Sequence, residues 1–225
     1  MKLKCVIFDM DGLMFDSERI VGECLKKAAK VYGYVITDEF RLQLLGRNKK
    51  ANEKTLKEYF GKDFPNEKIS LLTTQYKEKY ILENGLPVKE GLYNLLKYLK
   101  ENNIRIAIAS SSSESVIRKY LKITQTYQYI DYIMSGNQVK ESKPNPEIFK
   151  KVLKHFHINP LEALVLEDSQ NGILASYNAH IPVICVPDLV FHDDSVNSLT
   201  LKVVHDLNEV IDYLKNTYEL SSDNF

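Results

Sequence analysis

The sequence has no excess of charge of either sign, because 30 Lys and Arg side chains balance 30 Asp and Glu side chains. This balance argues against nucleic acid and against an anionic membrane surface as partners. No apolar run approaches the roughly 20 residues of a membrane-spanning helix, so we expect no contact with a membrane. Cysteine is scarce, and Cys5, Cys24 and Cys185 lie far apart without a Cys-x-x-Cys pair. Together with an N-terminus that lacks a signal peptide pattern, this predicts a cytoplasmic protein.

The sequence contains five short apolar runs that are typical of buried strands. They cover residues 5–8, 105–109, 132–134, 163–166 and 183–186. Helical patterns lie between the later runs, at residues 91–102, 114–121, 146–156 and 171–177. This alternation predicts an α/β fold, a Rossmann-like doubly wound parallel sheet with helices on both faces. In such sheets ligands bind at the carboxyl ends of the strands.

One long segment interrupts the alternation. Residues 15–85 contain no convincing strand, and their helical stretches are 17–32, 38–45, 48–60 and 66–82. A crossover between neighbouring strands needs far fewer residues, so we predict an inserted helical domain. The predicted division is a core domain of residues 1–14 and 86–225, with a helical cap of residues 15–85.

The first strand ends in two carboxylates, Asp9 and Asp11, followed by Gly12, which allows a sharp turn. Two acids held by a rigid strand are costly to desolvate, and a divalent cation is the simplest compensation. Hard oxygen ligands favour Mg²⁺. Taken alone, the same residues could form a solvated acidic turn.

Three further polar elements follow later strands in order. Ser110, with Ser111 behind it, suits phosphate oxygens, although a helix N-cap would need the same residue type. Lys143 precedes a proline that restricts its backbone, and its ammonium could either neutralise a phosphoryl group or lie on the surface. Glu167 and Asp168 end the fourth run, where an acid could equally cap a helix.

The four elements together resemble the ordered motifs of the haloacid dehalogenase superfamily of phosphohydrolases. The matching residues are Phe8-Asp9-Met10-Asp11-Gly12, Ser110, Lys143-Pro144 and Leu166-Glu167-Asp168-Ser169. The resemblance spans nearly the whole chain and is to the branch that carries a helical cap after the first strand.

The resemblance implies a catalytic role for four residues and a substrate-binding role for the backbone of Ser111. Asp9 would be the nucleophile that forms an aspartyl-phosphate, and Asp11 the general acid and then the general base. Ser110, the backbone of Ser111 and the ammonium of Lys143 would hold the transferring phosphoryl oxygens.

It also implies a metal site. Mg²⁺ would be held by the Asp9 carboxylate, the Asp11 carbonyl and Asp168, with Glu167 close by. Asp11 makes dehalogenation a poor interpretation, because the dehalogenases of this superfamily lack an acid at that position.

Within the branch, the sequence is similar to β-phosphoglucomutases and to sugar-phosphate phosphatases. The mutases carry a His on the first cap helix, where this sequence has Val21, and a Lys before the cap glycine, where it has Leu45. Their Arg three positions after that glycine is replaced by Lys49. We expect Gly46, Arg47 and Lys49 to face the substrate, although a solvated helix start would need no function.

These features predict a Mg²⁺-dependent phosphatase that acts on a small phosphorylated metabolite, a sugar phosphate. A hexose-phosphate mutase is the alternative. A non-catalytic binding module is disfavoured, because a binder has no need of Asp11. We expect a monomer or a weak homodimer.

Overall fold

A computed structural model describes residues 2–45 and 49–218, with only the backbone given for Lys49. The chain forms two compact units. One, the α/β unit, comprises Met1–Phe15 and Val88–Phe225, and the other, the helical unit, comprises Asp16–Pro87.

The α/β unit is built on a parallel sheet of six strands. They are β1 (Cys5–Phe8), β2 (Arg105–Ser110), β3 (Tyr132–Ser135), β4 (Ala163–Glu167), β5 (Val183–Cys185) and β6 (Lys202–Val203). Their order in the sheet is β3-β2-β1-β4-β5-β6, with β1 between β2 and β4. Phe8 at the end of β1 is in register with Ile108 of β2 and Leu166 of β4. The predicted fold class is confirmed.

The helices in chain order are α1 (Ser17–Val31), α2 (Asp38–Leu42), α3 (Lys49–Phe60), α4 (Asn66–Asn84), α5 (Leu92–Glu101), α6 (Glu114–Ile123), α7 (Glu147–Phe156), α8 (Gln170–Asn178), α9 (Asp194–Asn197) and α10 (Leu207–Thr217). Strand β6 and helices α9 and α10 were not predicted. Strand β6 has two residues, both exposed, so it produces no apolar run. Helix α2 is shorter than the predicted 38–45 and is followed by a turn.

Both faces of the sheet are covered, as near-continuous apolar strands require. Successive side chains of a strand point to opposite faces. Ile7 and Val165 therefore pack with Phe149 of α7 and Ile173 of α8 in one buried cluster. The alternate residues, such as Phe8, are fully buried as well. The strand ends are thus held rigidly from both sides.

The helical unit has a core of its own. Helix α1 packs against α4, and apolar side chains from all four helices form a second buried cluster. Thr37 begins α2, because its hydroxyl accepts a hydrogen bond from the Phe40 amide at 3.2 Å. Among the described residues, no helix is both long enough and apolar enough to cross a membrane.

Candidate active site

Asp9 lies directly beyond the end of β1. Its amide donates to the Leu166 carbonyl at 3.0 Å, which continues the pairing of β1 with β4. The chain then turns tightly at Gly12, whose φ of +87° favours glycine. Within this turn the Met10 amide donates to Oδ2 of Asp9 at 2.5 Å. The carboxylate is therefore fixed by its own loop at the edge where the strands end.

Lys143 joins three strand ends. Its ammonium donates to Oδ1 of Asp9 at 2.5 Å, to Oε1 of Glu167 at 2.6 Å and to the Ala109 carbonyl at 2.9 Å. An ammonium has three hydrogens, so each has an acceptor. The Lys143 side chain is only 5% exposed, which excludes the interpretation as a surface lysine.

The electrostatics of this group follow from its burial. Burial raises the pKa of Asp9 to about 7, with Lys143 opposing the rise and Glu167 adding to it. For Lys143, burial disfavours the ammonium, but Asp9 and Glu167 outweigh that effect and raise its pKa above the usual range. Lys143 is therefore charged at neutral pH, and its charge offsets the nearby carboxylates.

Glu167 is fully buried and has both carboxylate oxygens in hydrogen bonds. Oε1 accepts from Lys143, while Oε2 accepts from the Asp168 and Ser169 amides at 3.2 Å and from the Ser169 hydroxyl at 3.0 Å. The Ser169 hydroxyl also accepts from the Gly172 amide at 3.1 Å and so caps α8. This geometry makes Glu167 a support for Lys143, and its assignment to the metal stays a prediction.

Ser110 and Ser112 link the end of β2 to Asp11. The Ser110 hydroxyl is buried and accepts from the Ser112 amide at 3.1 Å. The Ser112 hydroxyl donates to Oδ2 of Asp11 at 2.7 Å. Ser111 is exposed between them. The sequence analysis did not predict the contact of Ser112 with Asp11. The run of serines after β2 is the feature from which it could have been predicted.

Asp168 lies against Gly12, where its carboxylate fills the space that a Cβ atom would need. Oδ2 of Asp188 lies 3.2 Å from the same Cβ position. Oδ1 of Asp188 accepts from Lys89 at 2.7 Å, whereas its buried Oδ2 has no hydrogen-bond partner among the described residues. Asp188 was missed by the sequence analysis, although a carboxylate shortly after β5 is the same signal that identified Asp9.

The carboxylate oxygens of Asp168 and Asp188 are of the kind that Mg²⁺ binds. The described residues contain no group of three or more His, Cys, Asp or Glu side chains that could hold a metal ion by themselves. Mg²⁺, however, usually uses one or two carboxylates and keeps several waters. The buried Oδ2 of Asp188, beside Asp168, needs a hydrogen-bond donor, which the water of a hydrated cation would supply.

Residues predicted to face the substrate from the helical unit are described only in part. Gly46 and Arg47 lie outside the described residues, and Lys49 begins α3 without a described side chain. Val21 and Leu45, which replace the residues of the mutases, line a cavity within the helical unit.

Known proteins resemble this chain over most of its length. A family model described as haloacid dehalogenase-like hydrolase matches residues 6–186. A phosphorylated carbohydrates phosphatase of Thermotoga maritima is 28% identical over 179 residues, which cover 80% of this chain and 82% of that protein. A probable pseudouridine-5'-phosphatase of Drosophila melanogaster is 27% identical over 193 residues, which cover 83% of each.

The solved structure of a β-phosphoglucomutase from Clostridium difficile shares the fold, with a TM-score of 0.79. It is 24% identical and covers 95% of this chain and 96% of that one. The predicted family and the predicted class of enzyme, a phosphohydrolase, are both confirmed. The chain belongs to the haloacid dehalogenase-like hydrolases.

Proposed function

We propose that this protein is a Mg²⁺-dependent phosphatase that hydrolyses a small phosphomonoester, a sugar phosphate, through an aspartyl-phosphate. The observation that carries the proposal is the hydrogen bond from the Lys143 ammonium to the Asp9 carboxylate at the end of β1. It places a fixed carboxylate nucleophile beside a buried cation that can offset the charge of a phosphoryl group.

In the first half of the reaction, a carboxylate oxygen of Asp9 attacks phosphorus and the bond from phosphorus to the sugar oxygen breaks. Asp11 gives its proton to the leaving oxygen. Lys143 and the hydroxyl of Ser110 bind the phosphoryl oxygens, with the Ser111 backbone. Bound Mg²⁺ would offset the negative charge of the phosphoryl group, held by Asp9, the Asp11 carbonyl and Asp168.

In the second half, a water molecule attacks the phosphorus of the aspartyl-phosphate. Asp11 takes the proton of that water, the bond from phosphorus to Asp9 breaks, and inorganic phosphate leaves. The hydrogen bond from Ser112 holds Asp11 in one orientation, which suits a group that must act twice.

The substrate class is inferred from relatives, one of which is named a phosphatase of phosphorylated carbohydrates. We propose that residues 15–85 act as a cap that closes over the strand ends and excludes water. We propose residues 15–17 and 85–87 as its hinge. A hydrogen bond of 3.0 Å from the Asp16 amide to the Pro87 carbonyl joins these two segments. We place the enzyme in the cytoplasm, as a monomer or a weak homodimer.

The experiment is phosphorus NMR of the protein with Mg²⁺ and a panel of sugar phosphates, including β-glucose 1-phosphate with a trace of the bisphosphate. We expect release of inorganic phosphate, and a loss of at least about 1000-fold in Asp9→Asn. Asp212→Asn, an exposed change of the same kind on α10, is the matched control. Full activity of Asp9→Asn would disprove the mechanism. Migration of phosphate between sugar positions without release would establish the mutase instead.

A further inference from the structure

A histidine side chain from a distant loop contacts the backbone of Asp168. Nε2 of His192 lies 2.7 Å from the Asp168 carbonyl oxygen. A carbonyl oxygen only accepts hydrogen bonds, so the imidazole carries a hydrogen on Nε2 and donates it. The two residues are 24 positions apart, on the loops that follow β5 and β4. The hydrogen bond therefore ties these two loops together beside the predicted metal site.

This hydrogen bond completes the fixation of the backbone around Asp168. The carbonyl belongs to the peptide group between Asp168 and Ser169, and the Ser169 amide of the same group donates to Oε2 of Glu167 at 3.2 Å. In the preceding peptide group, the Glu167 carbonyl accepts from the Val186 amide at 2.8 Å, and the Asp168 amide donates to Oε2 of Glu167 at 3.2 Å. Because a peptide group is planar, fixing both groups that flank a Cα atom also fixes the direction of its Cβ atom.

His192 is itself anchored through helix α9. Its carbonyl accepts from Nδ2 of Asn197 at 2.9 Å. The N-cap of α9, Asp193, accepts from the Val196 amide at 3.1 Å, and the Val196 side chain is buried in the cluster that covers one face of the sheet. On the other side of His192, Phe191 is 80% exposed and gives no such support. The position of the imidazole is therefore set from α9.

The loop after β5 reaches the site at a second point. Oδ1 of Asp188 accepts from Lys89 at 2.7 Å. Oδ2 of Asp188 lies 3.2 Å from the position of a Cβ atom on Gly12, the position that the Asp168 carboxylate also approaches. One loop thus contacts the backbone of Asp168 through His192 and brings Asp188 beside its carboxylate. A loop that only connected β5 with α9 would need neither contact.

We propose that His192 is a positioning residue for the metal site. By donating from Nε2 to the Asp168 carbonyl, it holds the Asp168 carboxylate in the direction in which that carboxylate binds Mg²⁺. Groups that orient a metal ligand contribute about 10- to 100-fold to the affinity for the metal. The inference rests on the proposed function, because it takes Asp168 as a ligand of Mg²⁺. It requires no contact of His192 with the metal or with the substrate.

The first measurement is NMR of the histidine ring nitrogens in the metal-free full chain, which has five histidines. We expect the His192 signals, assigned by their loss in His192→Gln, to show a hydrogen on Nε2 that exchanges slowly with water. The exposed His205 is the internal comparison, and its ring hydrogen should exchange rapidly. A His192 ring with its hydrogen on Nδ1 alone would overturn the proposal, because that form cannot donate from Nε2.

The second measurement is calorimetric titration of Mg²⁺ into the full chain without substrate. In His192→Ala we expect the affinity for Mg²⁺ to fall by about tenfold. His192→Gln should restore most of it, because Nε2 of glutamine also donates and is as many bonds from Cα as Nε2 of histidine. In His192→Asn the amide is one bond closer to Cα, so the affinity should stay low. His205→Ala, an exposed change of the same kind, should bind Mg²⁺ as the parent does.

Release of phosphate by the parent chain separates the two ways of failing. If the parent binds Mg²⁺ and releases phosphate, and His192→Ala binds Mg²⁺ as tightly, the positioning role is wrong and the proposed function stands. Equal weakening in His192→Ala and His192→Gln would also overturn the positioning role, because the loss would not follow the donor. If the parent binds no Mg²⁺, the proposed metal site is wrong and the positioning role is wrong with it.

Discussion

The carboxylate of Glu167 occupies the space that a side chain on Gly172 would fill. The two residues lie on either side of the Ser169 cap, at the end of β4 and in the first turn of α8. Glu167 in turn accepts from Lys143 at 2.6 Å, and Lys143 binds Asp9. The absence of a side chain at one helical position therefore supports the placement of the proposed nucleophile.

Gly172→Ala is expected to destabilise the protein by about 3 kcal/mol, because the new Cβ must displace a buried carboxylate from its bonds. Urea unfolding monitored by circular dichroism measures this change. Alanine favours a helix more than glycine does, so the helical propensity of α8 opposes the effect and does not cause it.

The control for this prediction is Gln170→Ala, at an exposed position in the same turn of α8. Its free energy of unfolding should stay within about 0.5 kcal/mol of the parent value. Equal stability of Gly172→Ala and Gln170→Ala would contradict the packing argument.

Ser112→Ala is expected to lower kcat by about tenfold with little change in KM, because it removes the hydrogen bond of 2.7 Å that orients Asp11. Ser112→Thr keeps the hydroxyl and should restore part of the rate. Steady-state release of phosphate measures both. Ser113→Ala is the matched control, since the Ser113 hydroxyl bonds only to Ser115 in the described hydrogen bonds. An unchanged kcat in Ser112→Ala would remove this residue from the mechanism.

Asp188→Asn is expected to weaken the binding of Mg²⁺ by about tenfold, because it removes a negative charge and a free acceptor beside Asp168. Calorimetric titration of the metal into the protein without substrate measures this directly. Asp194→Asn, an exposed change on α9, should bind Mg²⁺ as the parent does. If both variants bind Mg²⁺ equally well, Asp188 does not contribute to the metal site.

Cys5 provides a prediction about pH. Burial in β1, with Asp131 adding to it, raises the pKa of this thiol from 9.0 to about 12. The unfolded chain thus loses the proton first, and the free energy of unfolding should fall as pH rises above 9. Urea unfolding of the parent and of Cys5→Ala should show the stability difference between them shrinking from pH 8 to about pH 10. A constant difference would show that the thiol titrates normally in the fold.

The same burial predicts slow chemistry at Cys5. At pH 8, native protein should react with iodoacetamide at this thiol at least about 1000-fold more slowly than protein unfolded in urea. Peptide mapping by mass spectrometry gives the two rates. Equal rates of alkylation in native and unfolded protein would mean that β1 opens to solvent easily.

The sequence alone determined the fold class and indicated which polar residues lie at the carboxyl ends of the strands. Asp9, Ser110 and Glu167 each end a short apolar strand, and parallel strands bring their carboxyl ends to one edge of the sheet. Lys143 was predicted from its place before a proline, and its ammonium does meet Asp9 and Glu167. The position of each residue at the end of a strand was sufficient to predict this, because parallel strands that pair in one sheet place their carboxyl ends side by side.

Only the tertiary structure decided the roles that depend on packing. Three such features arise where loops and helix starts meet. The Ser112 hydroxyl points toward Asp11, and Oδ2 of Asp188 has no hydrogen-bond donor among the described residues. The carboxylate of Glu167 fills the space that a Cβ atom on Gly172 would need. Arg41 reads as an ordinary surface residue of a short helix, yet its side chain is buried against α1, where a Cβ atom on Gly22 would overlap with it. Sequence periodicity specifies which face of an element is buried, but unmet donors and close approaches depend on the three-dimensional fit between elements distant in the chain.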